Sequence, residues 1–240
     1  MKLLDLTIGD AAADVALDEA LLDAAENGAC DDELLRVWQP VSPIVVLGRS
    51  SPFEMEINQQ ECDALSIPVL RRCSGGATIL TAPGCLMYAV LLSYEQRPEL
   101  RSIDNAHRFV MGKIQNAISA CGVETQLQGI CDLTIGKRKV SGNALRCKRS
   151  WFVYHGTLIC QSMDIGLINR CLGNPRRQPD YRAGRSHADF LAPLPLQPLA
   201  LKQALVHEWQ CVEPLKSWPQ GLTDRLVSEK YCQDSWTRKV

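Results

Sequence analysis

The 240-residue chain is expected to fold as one α+β domain spanning residues 1–240, a mixed, mostly antiparallel sheet flanked by helices. Three observations carry that expectation. Short β-rich runs outnumber helical stretches, and they follow the order α-β-β-α-β-β-β-α-β-β-β-α rather than the strict alternation of a doubly wound parallel sheet. No repeat, low-complexity tract or boundary signal appears before residue 174. The composition, 46% hydrophobic and 22% charged, is that of a chain able to bury a sizeable core.

Residues 10–27 place Val15, Ala16, Leu17, Ala20, Leu21 and Ala24 near helical spacing, with Asp10 as N-cap and Gly28 past the end. The runs "ELLRVWQP" and "PIVVLGRS" are β-rich and parted by Pro40 and Pro43, which predicts a hairpin-like pair. A helix over 57–66, with Asn58 as a cap, leads into the strand "IPVLRRCS". "ATILT" and "CLMYAVLLS" continue the β pattern across Pro83-Gly84, so the Gly-Gly stretch between them and "IPVLRRCS" lies among core strands. A long helix over 102–122 follows, capped by Ser102 or Asp104 and ended by Gly122, with Phe109, Ile114, Ile118 and Cys121 on or near its apolar face. "CDLTIG", "RKVSGNALRC" and "WFVYHGTLIC" read as strands, and 164–172 as a helix. Residues 174–198 are too Pro-rich for a helix or central strand and are either a functional lid or disordered. Helical segments at 199–211 and 221–232 complete the pattern.

The net charge of −1 supplies no overall field for nucleic acid or an anionic membrane surface. No run approaches the roughly 20 apolar residues of a membrane span. Asp5, Asp10, Asp14 and Asp18 stand where a signal peptide would be apolar, so a cytoplasmic location is expected. The eleven cysteines include no C-x-x-C pair and encode neither a disulfide framework nor a zinc knuckle.

Three stretches carry chemistry. In "RRCSGGAT", residues 71–78, glycines let backbone N–H groups approach an anion, Ser74 adds a donor, and arginine forks match phosphate or carboxylate. A β-turn with solvated arginines explains the same residues equally well. "GKRKVSG", residues 136–142, repeats the theme of cations beside Ser-Gly; in a strand Lys137 and Lys139 share one face and Arg138 takes the other. By itself it reads more readily as a charged hairpin. "YHGTLI" sets His155 inside an apolar strand, where a satisfied core histidine is the commoner explanation.

Taken together, "IVVLGRS", "RRCSGGATILTAPGCLMYAV" and "CDLTIGKRKVSGNALRCKRSWFVYHGTL" resemble the V-x-G-R, R-R-x-S-G-G-G and N-D-L…G-x-K-x-S-G-x-A…H-G-T-L segments of the lipoate–protein ligase and octanoyltransferase family, relatives of the biotin–protein ligases. The resemblance runs from "VALDEALL" to "SEKYCQDSW". It implies a biotin/lipoate ligase-like catalytic domain that attaches lipoate or octanoate to a lysine of a lipoyl-carrier domain. The ligases activate the free acid with ATP, with magnesium a possible companion; the transferases take octanoyl from an acyl carrier protein through a cysteine thioester. Lys139 matches the family lysine, expected to bind the activated carbonyl and phosphate and to offset charge as the amine attacks. Arg72, Ser74, Gly75 and Gly76 fall on the loop that wraps the acyl-adenylate, Arg49 on the V-x-G-R segment, Ser141 and Gly142 on the K-x-S-G segment, and His155 on the second histidine of H-H-G-T-L. Asp132 matches the N-D-L aspartate, beside the phosphate and a magnesium ion.

The sequence departs from the pattern at Ala77, at Thr81-Ala82 in place of a His-Asp pair, at Cys131 for asparagine, and at Tyr154 for the first histidine. Cys131 and Cys171 are the candidate nucleophiles of a transferase, with a packing role the plainer explanation for each. Arg176, Arg177, Arg182 and Arg185 either clamp the adenylate, meet an acidic carrier domain or carry solvated charge. Many ligases carry a small accessory domain that the resemblance does not reach, and the expectation is that a separate chain supplies that role or that the enzyme does without it. The expected activity is that of an ATP-dependent ligase; an ATP-independent octanoyltransferase and a weakened homologue that binds a carrier domain or lipoyl ligand without turnover are the alternatives.

Overall fold

The computed structural model describes residues 1–161, 163–173, 175 and 178–239. The chain opens with β1 (Lys2–Asp5) and α1 (Ala11–Glu26), then β2 (Leu34–Trp38), β3 (Ile44–Leu47), α2 (Phe53–Glu56) and α3 (Gln59–Ala64). β4 (Val69–Arg71), β5 (Ile79–Thr81) and β6 (Cys85–Ser93) precede α4 (Ile103–Ala120). Next come β7 (Gln126–Gln128), β8 (Asp132–Ile135), β9 (Arg138–Cys147), β10 (Trp151–Ile159) and α5 (Ile165–Cys171). α6 (His187–Phe190), α7 (Pro198–Glu208), β11 (Glu213–Pro214), α8 (Gln220–Leu226) and α9 (Asp234–Thr237) follow.

The strands make a large sheet in the order β11-β1-β2-β6-β10-β9-β8-β7 and a small one in the order β4-β3-β5. β1 is parallel to both its neighbours, and every other pairing in the large sheet is antiparallel. The mixed, mostly antiparallel expectation therefore holds. The predicted pairing of β2 with β3 does not, because they belong to different sheets: β2 lies between β1 and β6, and β3 between β4 and β5. Both are buried along their whole length, so each needs neighbours on both edges. The connection holding Pro40 and Pro43, which lack an N–H for a ladder, instead carries the chain between sheets. β1, β7 and β11 are too short to show a period in the sequence.

Local signals end the helices where expected. Asp10 accepts from Ala13 N at 2.8 Å, Asn58 caps α3, and Ser102 rather than Asp104 caps α4, with Asp104 in the first turn where the helix dipole favours a carboxylate. The pleat then sorts the long strands. Phe152, Tyr154 and Leu158 of β10 face the core under α4 and α7, while Trp151 and Val153 face the opposite core under α1. The same alternation turns His155 toward α1, where it meets Asp18. A third apolar cluster packs the small sheet against α3, α5 and α6, and a fourth joins it to α1.

Arg36 of β2 is fully buried and holds α1 to the sheet. It donates to Asp18 Oδ1 and to the Asp14 carbonyl at 2.7 Å each, and to Asp14 Oδ1 at 2.9 Å. Asp14 and Asp18 are four residues apart and share a helix face. Removing the cation leaves two carboxylates buried without it. Arg36→Ala is expected to cost about 3–5 kcal/mol in urea unfolding; a loss below about 1 kcal/mol would show that this pairing does not hold the helix.

Candidate active site

A cavity of about 1310 Å³ opens between the two sheets, with Trp38, Met87 and Thr157 of the large sheet facing Val46, Ile79 and Leu80 of the small-sheet side. On the α1 side, Asp18 and His155 line the cavity and belong to a continuous hydrogen-bonded chain that runs behind it. Ser74 Oγ lies 2.6 Å from His155 Nε2, and His155 Nδ1 lies 2.7 Å from Asp18 Oδ2, with Arg36 on the other carboxylate oxygen. Burial pushes Asp18 up, but Arg36 and then His155 outweigh it and hold this carboxyl below its usual range. An ionised Asp18 accepts from Nδ1–H and so orients the imidazole, which sets Nε2 against the Ser74 hydroxyl. The order serine, histidine, aspartate is that of an acyl-transfer triad. Here Ser74 is only 1% exposed and its oxygen also accepts from Arg72 Nε at 3.0 Å, so the chain stiffens the loop.

The two arginines of "RRCSGGAT" spend their donors on the protein itself. Arg72 reaches the carbonyls of Val46, Gly75 and Ala77 at 3.1, 2.5 and 3.0 Å, and burial pushes its guanidinium down to about 10. It lines the cavity as the frame of the loop. With the Gly75 carbonyl turned to Arg72, the planar trans peptide turns the Gly76 N–H away from it. Arg71 is fully buried and donates to the carbonyls of Gly48, Ser51 and Thr237, tying α9 behind the loop. Gly48 is required where it stands: a Cβ there would lie 1.8 Å from the Gly76 carbonyl oxygen. Arg49 contributes its backbone N–H to the Ser74 carbonyl at 2.8 Å, and its side chain is outside the cavity wall.

Lys139 enters from the opposite wall. Its Nζ lies 2.8 Å from Asp132 Oδ1 and both residues line the cavity. Gly142 makes room for it, since a Cβ there would lie 2.9 Å from Nζ. Ser141, fully buried on the same strand, hydrogen-bonds Asn143. The second oxygen of Asp132 accepts from Tyr181 Oη at 2.8 Å. Burial, and then the Asp132 charge, push the Tyr181 phenol up, so it stays the donor. Lys137 lies before β9 with its backbone carbonyl on Arg185, and Arg138 reaches the Ala188 carbonyl, so of the three cations of "GKRK" Lys139 is the one that lines the cavity.

Tyr181 belongs to the Pro-rich segment left open as lid or disorder. In its described residues it is ordered: a turn over Asp180–Arg182, then α6, then bridges from Leu191 to Lys139 and from Leu194 to Cys160. Tyr181, Arg182, His187, Phe190 and Leu191 line the cavity, which makes the segment a lid. Arg182 and Arg185 sit over the Phe190 ring at 5.0 and 5.3 Å, and both bond within the lid. Arg176 and Arg177 lie outside the described residues.

Neither candidate thiol is activated. Cys131 lines the cavity, yet burial and then Asp132 push it up to about 11, against the smaller effect of Lys139. Cys171 is fully buried beside Cys62, away from the cavity wall, and burial raises it as well. A transferase cysteine needs the opposite shift. Both oxygens of Asp132, the residue the resemblance sets beside a magnesium ion, are engaged by Lys139 and Tyr181, and among the described residues no three His, Cys, Asp or Glu side chains converge. The donor set does not fit a resident metal ion. The departures at Tyr154 and Thr81-Ala82 lie off the cavity wall. Tyr154 is buried on the far face against His107 at 2.8 Å, and Thr81 and Ala82 are buried at the end of β5.

Asp18, Tyr88, Asn143, Tyr181 and His187 are cavity residues that the motif reading did not single out. Asp18 sits in "VALDEALL", where an aspartate among apolar helix positions was the available signal. Tyr88 donates to Asn143 Oδ1 at 2.6 Å, and that pair is what makes Gly156 necessary.

The lipoyl protein ligase A/B catalytic-domain model matches residues 10–194, and the chain belongs to that family. Lipoate–protein ligase 1 of Staphylococcus aureus is 31% identical over 130 residues, covering 54% of this chain and 38% of that protein. The octanoyltransferase LipM of Clostridioides difficile is 24% identical over 170 residues, covering 62% of each. The chain thus spans less than two thirds of the length of these relatives. Among solved structures, a bipartite lipoate protein ligase studied with its E2 lipoyl domain from Thermoplasma acidophilum superposes with a TM-score of 0.84 at 19% identity, covering 99% of this chain and 95% of that one. A lipoate–protein ligase A bound with ATP gives 0.80 at 20% identity, covering 99% and 98%. At such identities these likenesses establish the fold. Among the described residues no helix is long and apolar enough to cross a membrane.

Two outcomes follow from this geometry. In Gly156→Ala the new Cβ would stand 1.8 Å from Asn143 Oδ1, and the forced shift is expected to cost about 1–3 kcal/mol in urea unfolding. His187 is pushed down to about 4 by burial, then by Arg182 and Lys139. The unfolded chain takes up this proton near the ordinary histidine value of about 6.5 while the folded one resists until about 4, so stability falls as pH drops across that window, by up to about 3 kcal/mol. His187→Gln should flatten this part of the Tm-versus-pH curve; an unchanged slope would mean that His187 is not held neutral.

Proposed function

We propose that the chain is a lipoate–protein ligase that activates lipoate or octanoate with ATP and passes the acyl group to a lysine of a lipoyl-carrier domain. The observation that carries this reading is the pairing of a lysine-bearing wall with an apolar cavity whose only cysteine among its described lining residues is raised to about 11. That thiol disfavours a thioester route, whereas a lysine facing a glycine-rich loop suits an acyl phosphate. The ATP-bound relative of the same fold and the staphylococcal ligase support the ligase side; the clostridial transferase shows that the family is wider than ligases.

In this reading the acyl tail lies in the apolar part of the cavity and its carboxylate sits between the Gly75-Gly76 loop and Lys139. A carboxylate oxygen attacks the α-phosphorus of ATP, pyrophosphate leaves, and an acyl-adenylate remains. The carrier amine then attacks the acyl carbonyl, the amide forms, AMP departs and the ammonium proton is released. Lys139 stabilises the negative charge that grows on carbonyl and phosphate oxygens, and the lid keeps water from the mixed anhydride. The acceptor in this reading is a lipoyl-carrier domain presenting a lysine; the Thermoplasma ligase of the same fold was studied with its E2 lipoyl domain.

ATP–pyrophosphate exchange with lipoate or octanoate tests the assignment. Wild-type exchange that falls by about 10²–10³ in Lys139→Ala, with Tm unchanged, is the expected result. No exchange, together with a covalent octanoyl adduct after incubation with octanoyl-carrier protein that disappears in Cys131→Ala, would favour the transferase.

A further inference from the structure

We propose that Tyr181 is a positioning residue of this site, holding Asp132 in place while Lys139 leaves it for the acyl phosphate; the inference rests on the ligase reading above. In the ligand-free arrangement the Lys139 ammonium is taken up by Asp132 Oδ1 at 2.8 Å. A ligand bearing a phosphate and a polarised carbonyl must draw that ammonium to itself. The carboxylate it leaves is largely buried, 12% exposed, and a buried charge that loses its partner is costly unless another donor holds it. Tyr181 Oη is already on Oδ2 at 2.8 Å and does not depend on the lysine.

The lid is built to keep that phenol in position. The Tyr181 ring lies 5.3 Å from Phe190, which is itself covered by Arg182 and Arg185. On its other side it packs on Gly129 at the tip of the β7–β8 hairpin, where φ is +58° and a Cβ would stand 3.5 Å from the ring. The lid backbone is anchored on the catalytic strand itself. Ala192 N donates to the Lys139 carbonyl at 2.9 Å, Arg185 to that of Lys137 at 2.9 Å, and Arg138 returns a bond to Ala188 at 2.9 Å. The lysine and the phenol that share Asp132 are therefore held in one frame, and the carboxylate stays put as the ammonium moves.

A double-mutant cycle in pyrophosphate exchange tests this, with wild type, Tyr181→Phe, Asp132→Asn and the double variant compared at saturating acid and ATP. Tyr181→Phe is expected to lower the rate about 10-fold, the worth of one hydrogen bond to a charged group, with KM for the acid within about 2-fold. In the Asp132→Asn background the same change should cost less than about 2-fold. A 4-aminophenylalanine at position 181, which keeps a donor on the same para position, should retain more activity than Tyr181→Phe and serves also if the latter fails to fold. Independent, multiplying losses, or a 4-aminophenylalanine rate no better than that of Tyr181→Phe, overturn the inference and leave the ligase reading intact. Absence of exchange in the wild type overturns the ligase reading itself.

Discussion

The ion pair between Arg36 and Asp18 is the constraint on which the site depends. A guanidinium with no exposed surface stands under α1 and has to be matched there, and Asp14 and Asp18 match it. Because Asp18 is kept ionised, its second oxygen is free to orient His155, which in turn holds Ser74 and through it Arg72. One buried charge thus sets the position of a helix, the orientation of an imidazole and the shape of a glycine-rich loop. Buried ion pairs contribute little net stability compared with apolar packing of the same volume, so this arrangement is better understood as specifying a geometry.

The opposite wall is organised by the same logic with a different balance. Lys139 and Asp132 are paired but partly accessible, and their partner is a lid rather than the core. Between the rigid wall and this looser one lies an apolar cleft formed by two sheets whose inner faces never pair with one another. A long apolar chain fits such a space, and the polar groups gather where an activated carboxyl would end. In the proposed reaction the rigid side supplies preorganisation, and the lid side supplies the change of partners that two successive steps require.

Several residues acquire meaning only against this frame. The arginines of the Gly-Gly loop look like anion ligands in sequence, yet most of their donors go to backbone carbonyls, leaving the loop itself as the surface offered to a ligand. Burial disfavours the thiolate at both candidate cysteines, and at Cys131 the Asp132 charge adds to it despite a lysine close by. The Tyr154 substitution is accommodated by the alternation of β10, which turns that side chain to the α4 face.

The sequence by itself determined the α+β class, most helix limits, the long strands and the three segments that meet at the cavity. It could do so because caps, glycines and apolar periods act over a few residues, and because Lys139, His155 and the Gly-Gly loop lie in short motifs. Tertiary structure alone decided that β2 and β3 part into two sheets, since both are apolar runs and only the partners available on each edge distinguish them. It also decided that Asp18 serves His155, 137 positions away, and that Tyr181 of a Pro-rich segment closes on Asp132, 49 positions away. Such contacts depend on where a sheet's twist and pleat deliver side chains, a property that no local pattern records.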